Sequence, residues 1–185
     1  QPERLVLGAD GAMVPLVGGE WGEVKLLSIG EPTPVSDASA VSAVSGSRGS
    51  VRTQHVSYFA RLADAQTFGT QALGELHRRG VEAAGAVAAV QDGAPWLQGF
   101  VDYHRPDAVR ILDWPHAAEH LTSVAEAVFG VQTPRAQRVA ERLRRWLWTE
   151  GPTRVRAILA GWERACPGRA VVATGVTYFR ERRAH

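Results

Sequence analysis

The pattern of apolar and polar positions over roughly the first third of the chain is that of a sheet. Its apolar, β-tolerant segments are separated by turn residues, which predicts three strands joined in an antiparallel meander. The predicted strands are residues 4–9, 21–29 and 53–59. Residues 13–17 continue the first strand or leave it, because Pro15 is restricted to an edge or loop position. Between the second and third strands, residues 33–50 are rich in Ser, Ala and Gly and predict a flexible loop.

After the third strand the period of the pattern becomes helical. Asp64 is a predicted N-cap, and the helix that it begins ends at Gly80. A continuous run of small apolar residues then predicts a strand that is buried on both faces. The elements predicted from there on are that strand at residues 84–90, a helix from Pro95 to about Tyr103, a strand at residues 108–112 and a helix at residues 114–129.

Only helical signals remain from Pro134 onward. Pro134 and Pro152 each stand at a helix start, and Pro167-Gly168 breaks the chain before a last segment of uncertain type. The full order, β-β-β-α-β-α-β followed by helices, predicts an α/β fold of the RNase H-like class. In that class three antiparallel strands precede βαβ units in one mixed sheet. We expect the sheet-containing core over residues 1–117 and an all-helical insertion over residues 118–185.

Charge is divided unevenly along the chain. Residues 1–133 carry 9 lysines and arginines against 15 aspartates and glutamates, whereas residues 134–185 carry 12 arginines against 4 glutamates. A basic helical part indicates contact with a polyanion, of which DNA is the usual one. The alternative is that these arginines only form a solvent-exposed face of the helices.

Other features of the sequence bear on the environment of the protein. The single cysteine, Cys166, excludes an internal disulfide and fits a reducing, cytoplasmic location. The longest apolar run, residues 83–90, is too short to cross a bilayer, and no signal peptide is visible, so we expect no membrane partner. Because the chain begins at Gln1 rather than Met and stops within a helical pattern, we interpret it as a fragment.

Two aspartates follow predicted strands at positions where carboxylates gather in an RNase H-like sheet. Asp10 ends the first strand in the sequence GADG, and Asp92 ends the fourth in the sequence VQDG. Because those strands are neighbours in such a sheet, the two carboxylates are expected to converge on one or two Mg²⁺ ions. The alternative is that each Asp-Gly step is only a turn.

A third acidic residue closes the fifth predicted strand. Asp113 is followed three positions later by His116, so a hydrogen bond between them would fix the entry into the next helix or orient a group near the metal ions. The simpler interpretation is that Asp113 caps the helix, with Pro115 in its first turn. His116 and His120 also have the spacing of zinc ligands, but no cysteine or third acidic partner accompanies them at such a spacing.

Several separated blocks of this sequence, in the same order, resemble the ISKra group of bacterial insertion-sequence transposases. The resemblance covers most of the chain from about Leu7 to Ala127 and continues more loosely to the end. A match of several blocks in order is far more specific than a single Asp-Gly step. The blocks are DGAMVPL from Asp10, VSYFARLADA from Val56, QDGAPWL from Gln91 and ILDWPHAAE from Ile111.

The resemblance implies an RNase H-like catalytic core whose DDE triad uses Mg²⁺ or Mn²⁺ to cleave and transfer DNA strands. Asp10 would be the first acid and Asp92 the second, and both would bind metal. Asp113 and His116 would form the Asp-x-x-His signature that several DDE families place after the second acid. The third acid is expected in a Gly-Ser-Gly-x-Val-Glu-Ser-type segment, which this sequence does not contain. We therefore expect the fragment alone to be inactive, and a complete gene product of this length to be a dead relic.

The partners that the resemblance implies are double-stranded DNA, as element ends and as target, and further copies of the chain. Arg142, Arg144 and Arg145 are expected to contact phosphates without reading the sequence. Two other interpretations stay open: another RNase H-like nuclease, such as a resolvase or an RNA-hybrid nuclease, and a DNA-binding remnant without catalysis. A nucleotide-binding α/β domain fits less well, because GADG is neither a GxGxxG motif nor a P-loop.

Overall fold

The computed structural model describes residues 2–34 and 51–181, which form an α/β structure. Within these residues there are five β-strands in one mixed sheet and six α-helices. The chain divides into two compact units, Gln1–Ile111 and Leu112–His185. The first unit holds the sheet and two of the helices, and the second holds the other four helices.

The first three strands form the antiparallel meander that the sequence predicts, with β2 between β1 and β3. These strands are β1 (Arg4–Pro15), β2 (Trp21–Pro34) and β3 (Val51–Leu62). Gly18 and Gly19 have φ values of 104° and 87° in the turn between β1 and β2, a region that glycine enters without steric cost. The predicted loop at residues 33–50 is wrong at its start, because Thr33 and Pro34 pair with β3; residues 35–50 lie outside the described residues.

Two further strands, β4 (Ala86–Gln91) and β5 (Val109–Leu112), extend the sheet to the order β3-β2-β1-β4-β5. β4 runs parallel to β1, and their pairing extends from Arg4↔Ala86 to Gly8↔Val90. A parallel pair needs a crossover, in which α1 (Ala65–Arg78) lies between β3 and β4. The second helix, α2 (Pro95–His104), connects β4 to β5.

One face of the sheet carries the core of the first unit, and α1 and α2 pack on that face. The ring of Phe68 in α1 lies 5.8 Å from the ring of Phe100 in α2, and both belong to the core. Because alternate residues of a strand point to opposite faces, the odd-numbered positions of β1, β2 and β4 face these helices. The buried strand residues are Leu5, Leu7, Leu27, Ile29, Val87 and Ala89.

The start of α1 confirms the predicted N-cap. A carboxylate oxygen of Asp64 accepts the backbone N–H of Thr67 at 2.9 Å, and the other accepts the Thr67 hydroxyl at 2.7 Å. These hydrogen bonds lower the pKa of Asp64, because they favour its ionised form. After the helix, Gly80 adopts a φ of 68° and leads into a short 3₁₀ turn at Val81–Ala83, just before β4.

The second unit is a bundle of four helices around its own core. Its helices are α3 (Trp114–Phe129), α4 (Pro134–Glu150), α5 (Pro152–Ala165) and α6 (Ala170–Glu181). The predicted helix starts at Pro134 and Pro152 are confirmed. The last segment, whose type the sequence left uncertain, is the helix α6. It packs through Val172, Gly175 and Phe179, which are spaced so that they share one helical face.

Candidate functional site

Asp10 lies inside β1 rather than at its end, which corrects the prediction. The strand continues because residues 11–15 keep pairing with β2, and Asp10 itself is opposite Leu26. The side chain is exposed, and its Oδ1 accepts the backbone N–H of Gly11 at 2.7 Å. The pairing of β1 with β4 nevertheless ends at Gly8↔Val90. Asp10 therefore stands where β1 runs past the end of β4.

Asp92 is the first residue after β4 and is half-buried. Its Oδ1 accepts the backbone N–H of Ala94 at 2.7 Å, a local bond of the Asx-turn type. Gly93 adopts a φ of 82°, and α2 begins immediately afterwards at Pro95. The VQDG step is thus a turn in its backbone, as one of the two interpretations expected. The turn fixes the Asp92 carboxylate at the end of the strand.

The ladder between β1 and β4 determines how the two aspartates stand relative to each other. Its last pair is Gly8↔Val90. Asp10 follows Gly8 by two residues, and Asp92 follows Val90 by two residues. Neighbouring strands lie about 4.8 Å apart, and alternation along β1 assigns Asp10 to the face opposite α1 and α2. Asp92 follows β4 in a turn, and Val90, two residues before it, belongs to that same face. If the register were continued by two residues, Asp10 and Asp92 would be opposite each other, just beyond the end of the β1–β4 ladder.

The opposite face of the sheet, which α1 and α2 cover, carries a buried lysine, paired with a partly exposed glutamate, that the sequence did not predict. Lys25 of β2 is only 4% exposed. Its Nζ donates to Oε2 of Glu23 at 2.7 Å and lies 4.8 Å from the centroid of the Trp96 ring. A Cβ on Gly11 would lie 2.2 Å from Oε1 of Glu23, so this carboxylate occupies the space that a side chain there would fill. The odd-numbered buried series of β2 was the signal that could have found Lys25.

In the second unit, Asp113 and His116 form the hydrogen bond that their spacing suggested. Oδ2 of Asp113 lies 2.6 Å from Nδ1 of His116, and both side chains are partly exposed. Asp113 occupies the N-cap position of α3, but its side chain makes no capping hydrogen bond to the helix. The capping interpretation is therefore wrong for the carboxylate, because the imidazole takes its place as the hydrogen-bond partner.

The histidine at zinc-ligand spacing from His116 has a different environment. The ring of His120 stacks on the ring of Tyr178 in α6, with centroids 3.8 Å apart and planes inclined by 26°. Across residues 2–34 and 51–181, no group of three or more His, Cys, Asp and Glu side chains is arranged to hold a metal ion.

The three arginines named as DNA contacts do not share one face of α4. Arg142 and Arg145 line a shallow groove of about 390 Å³ together with Arg138 and Glu141. Arg144 is two positions from Arg142, which separates them by about 160° around the helix axis. Arg138 was not predicted as a DNA contact, although its spacing of four and seven residues from Arg142 and Arg145 is that of one helical face.

A second groove, of about 430 Å³, lies between α1 and α2 in the first unit, away from the residues predicted as catalytic. Trp96, Tyr103 and His104 line one side of it. Nε2 of His104 lies 3.1 Å from the carbonyl oxygen of Gly69, which ties the two helices together. Burial lowers the pKa of His104, because the charged imidazolium is poorly solvated there.

Comparison with known proteins does not supply a family for this chain. No protein-family model matches it, and a search of curated protein sequences gives no significant match. Among the described residues, no helix combines the length and the apolar character needed to span a membrane.

Proposed function

We propose that this chain carries the catalytic core of a DDE-type bacterial DNA transposase of the ISKra group, with an RNase H-like sheet. The protein would cleave DNA strands and join them to target DNA. The observation that carries the proposal is the parallel pairing of β1 with β4, which ends at Gly8↔Val90, so that Asp10 and Asp92 each follow its last pair by two residues. The strand order supports it, because a meander of three antiparallel strands is followed by a parallel strand added beside β1.

The donor set of the two aspartates fits Mg²⁺ or Mn²⁺. Both ions favour oxygen ligands, and Asp10 offers a carboxylate from β1 and Asp92 one from the turn after β4. Mg²⁺ keeps several of its waters and takes few protein carboxylates when substrate phosphates supply further oxygens. A bound pair of such ions stabilises the attacking and the leaving oxygen of an in-line phosphoryl displacement.

The two carboxylates are held by different kinds of backbone. Asp10 is fixed by the paired strand β1, so its position depends on the sheet as a whole. Asp92 is fixed by the turn between β4 and α2, in which its own carboxylate bonds Ala94. Gly93 follows Asp92 and leaves backbone without a side chain beside it for a phosphodiester to approach, whereas the space beside Gly11, which follows Asp10, is filled by the carboxylate of Glu23.

We place Asp113 and His116 in a supporting role and assign neither as a metal ligand. The hydrogen bond from His116 Nδ1 to Asp113 fixes the orientation of the imidazole at the start of α3. No residue of this chain is assigned as the third acid.

The proposal is tested by assaying DNA cleavage and strand transfer in Mg²⁺, with end-labelled duplexes and the protein that contains this chain. Asp10→Asn and Asp92→Asn are expected to abolish both reactions and to leave the circular dichroism spectrum unchanged. Asp102→Asn is the matched control, because it removes the same charge from α2, where Asp102 pairs with Arg110. Activity retained after either of the first two substitutions contradicts the assignment.

The same assay separates the two other functions. Preferential cleavage of an RNA–DNA hybrid or a four-way junction would identify another RNase H-like nuclease. DNA binding without any Mg²⁺-dependent cleavage would identify a non-catalytic remnant.

A further inference from the structure

Four arginines form one exposed row along α4, which we name the arginine ridge: Arg135, Arg138, Arg142 and Arg145. At 3.6 residues per turn these positions fall within an arc of about 80° on the helix surface. The row spans ten residues of helix, or about 15 Å at a rise of 1.5 Å per residue. The buried side of the same helix consists of Ala136, Ala140 and Leu143, so the ridge faces away from the core.

Among the described residues, no carboxylate lies within salt-bridge distance of the arginine ridge, although Glu141 lines the same groove, whereas most arginines of the first unit are paired. There, Arg78, Arg79, Arg105 and Arg110 each lie within salt-bridge distance of an aspartate or glutamate. In the part of the chain that the structure describes, no such ion pair involves an arginine of α4. A row of unpaired like charges destabilises a helix slightly, so its presence indicates a role outside the fold.

Two members of the ridge lie beside aromatic rings, within cation–π range. The guanidinium of Arg135 lies 4.6 Å from the ring centroid of Phe129, and that of Arg142 lies 5.8 Å from the ring centroid of Trp146. On the same ring, Arg154 of α5 lies at 3.8 Å. A guanidinium stacked on a ring keeps its N–H edge available for an anion, and its limited motion lowers the entropy lost on binding.

From these observations we infer that the arginine ridge binds the phosphate backbone of double-stranded DNA without reading its bases. The choice of DNA among polyanions rests on the proposed function. Four arginines over about 15 Å offer up to four phosphate contacts, because each strand of a duplex carries one phosphate for every 3.4 Å of its axis. Guanidinium groups are well suited to phosphate, which they bind through paired N–H groups. Arg144, on the opposite flank of α4, lies outside this surface.

The test is the salt dependence of duplex binding by this chain, measured by fluorescence anisotropy in EDTA so that no divalent ion takes part. Four phosphate contacts predict a slope of about −3.6 for log affinity against log salt concentration. Affinity is then expected to fall about a hundredfold between roughly 50 and 200 mM salt, equally for duplexes of unrelated sequence.

Single substitutions to glutamine locate the contacts, because Arg and Gln have similar helix propensities. Arg138→Gln, Arg142→Gln and Arg145→Gln are each expected to reduce the slope by about 0.9. Arg144→Gln removes the same charge from the same helix and is expected to leave the slope unchanged. Circular dichroism and thermal melting establish that all four variants are folded.

Three outcomes would overturn the inference: equal loss of slope in Arg144→Gln and Arg142→Gln, absence of duplex binding by the unsubstituted chain, or tighter binding of an RNA duplex. The first outcome means that binding follows net charge rather than the ridge. None of them bears on metal binding at Asp10 and Asp92, which is measured without DNA. A failure of the ridge is therefore distinguishable from a failure of the proposed catalytic site.

Discussion

Replacement of Arg105 tests how the first unit positions β4, and with it Asp92. The guanidinium is buried at the end of α2 and donates to the carbonyl oxygens of Val81 at 2.5 Å and Ala84 at 2.9 Å. It also forms two hydrogen bonds with the carboxylate of Asp107. Arg105 therefore holds the segment that leads directly into β4. Arg105→Met keeps an apolar side chain there and removes every donor.

The expected cost follows from the groups that lose their partner. A buried carbonyl oxygen left without a donor costs about 1–3 kcal/mol, and two such oxygens are exposed to this loss. A total of about 3 kcal/mol is a large part of the roughly 5–15 kcal/mol that stabilises a typical domain. Loss of the salt bridge to Asp107 adds little to this destabilisation, because the Asp107 side chain is exposed to solvent.

Hydrogen–deuterium exchange followed by mass spectrometry measures this effect locally, on peptides that cover Ala86–Gln91. A loss of about 3 kcal/mol predicts exchange about a hundredfold faster in Arg105→Met, because each 1.4 kcal/mol is a factor of ten. Arg78→Met is the control, since Arg78 is exposed in its pair with Glu75 and the loss of such a pair costs less than about 1 kcal/mol. Equal exchange of β4 in the two variants refutes the reasoning.

Three further predictions concern packing, pH and DNA binding. Gly175→Ala is expected to lower the melting temperature, because the new Cβ would lie 2.3 Å from Cγ2 of Val124 and overpacking costs about 1–3 kcal/mol. Gly161→Ala is the control: its new Cβ meets no atom within 4 Å, and alanine favours the helix over glycine, so the melting temperature is expected to rise. The lowered pKa of His104 means that the unfolded chain binds its proton more readily, so stability falls as pH decreases from about 6.5 towards the folded-state pKa; melts of His104→Gln should show a smaller dependence. Glu141→Gln removes a carboxylate from the groove of the arginine ridge and is expected to tighten duplex binding severalfold in the anisotropy assay, and weaker binding would contradict the ridge.

Most helices could be predicted because their signals act locally. The side chain of Asp64 reaches Thr67 within the same turn, and a proline at the first helical position needs no partner from elsewhere in the chain. Asp113 shows the limit of such reasoning. Its position at the start of α3 was predicted, but the imidazole of His116 competed successfully for its carboxylate.

The length of β1 could not be predicted from its own residues. The Asp10-Gly11 step has the composition of a turn, yet both residues stay in the strand because β2 pairs with them as far as Pro15. Proline is tolerated there because β1 has run past the end of β4 and is paired on one side only, as an edge strand is. The pairing partner, and not local propensity, decides where such a strand ends.

The candidate site was predictable in its residues but not in its geometry. Asp10 and Asp92 were chosen because each follows an apolar run, whereas their position relative to each other depends on the pairing of β1 with β4. Lys25 and Arg105 could not be placed by a rule that assigns charged residues to the surface. Both are buried with partners from other elements: the Trp96 ring for Lys25 and the carbonyl oxygens before β4 for Arg105.

Whether Asp10 and Asp92 bind a metal ion together is measured most directly by adding Mn²⁺ to the ¹⁵N-labelled chain. The unpaired electrons of Mn²⁺ broaden the NMR signals of nearby amides, even when binding is weak. Selective broadening of the amides of Gly11 and Ala94 is predicted, with loss in Asp10→Asn and in Asp92→Asn and retention in Asp102→Asn. Broadening that is centred elsewhere, or that survives both of the first two substitutions, contradicts a shared metal site.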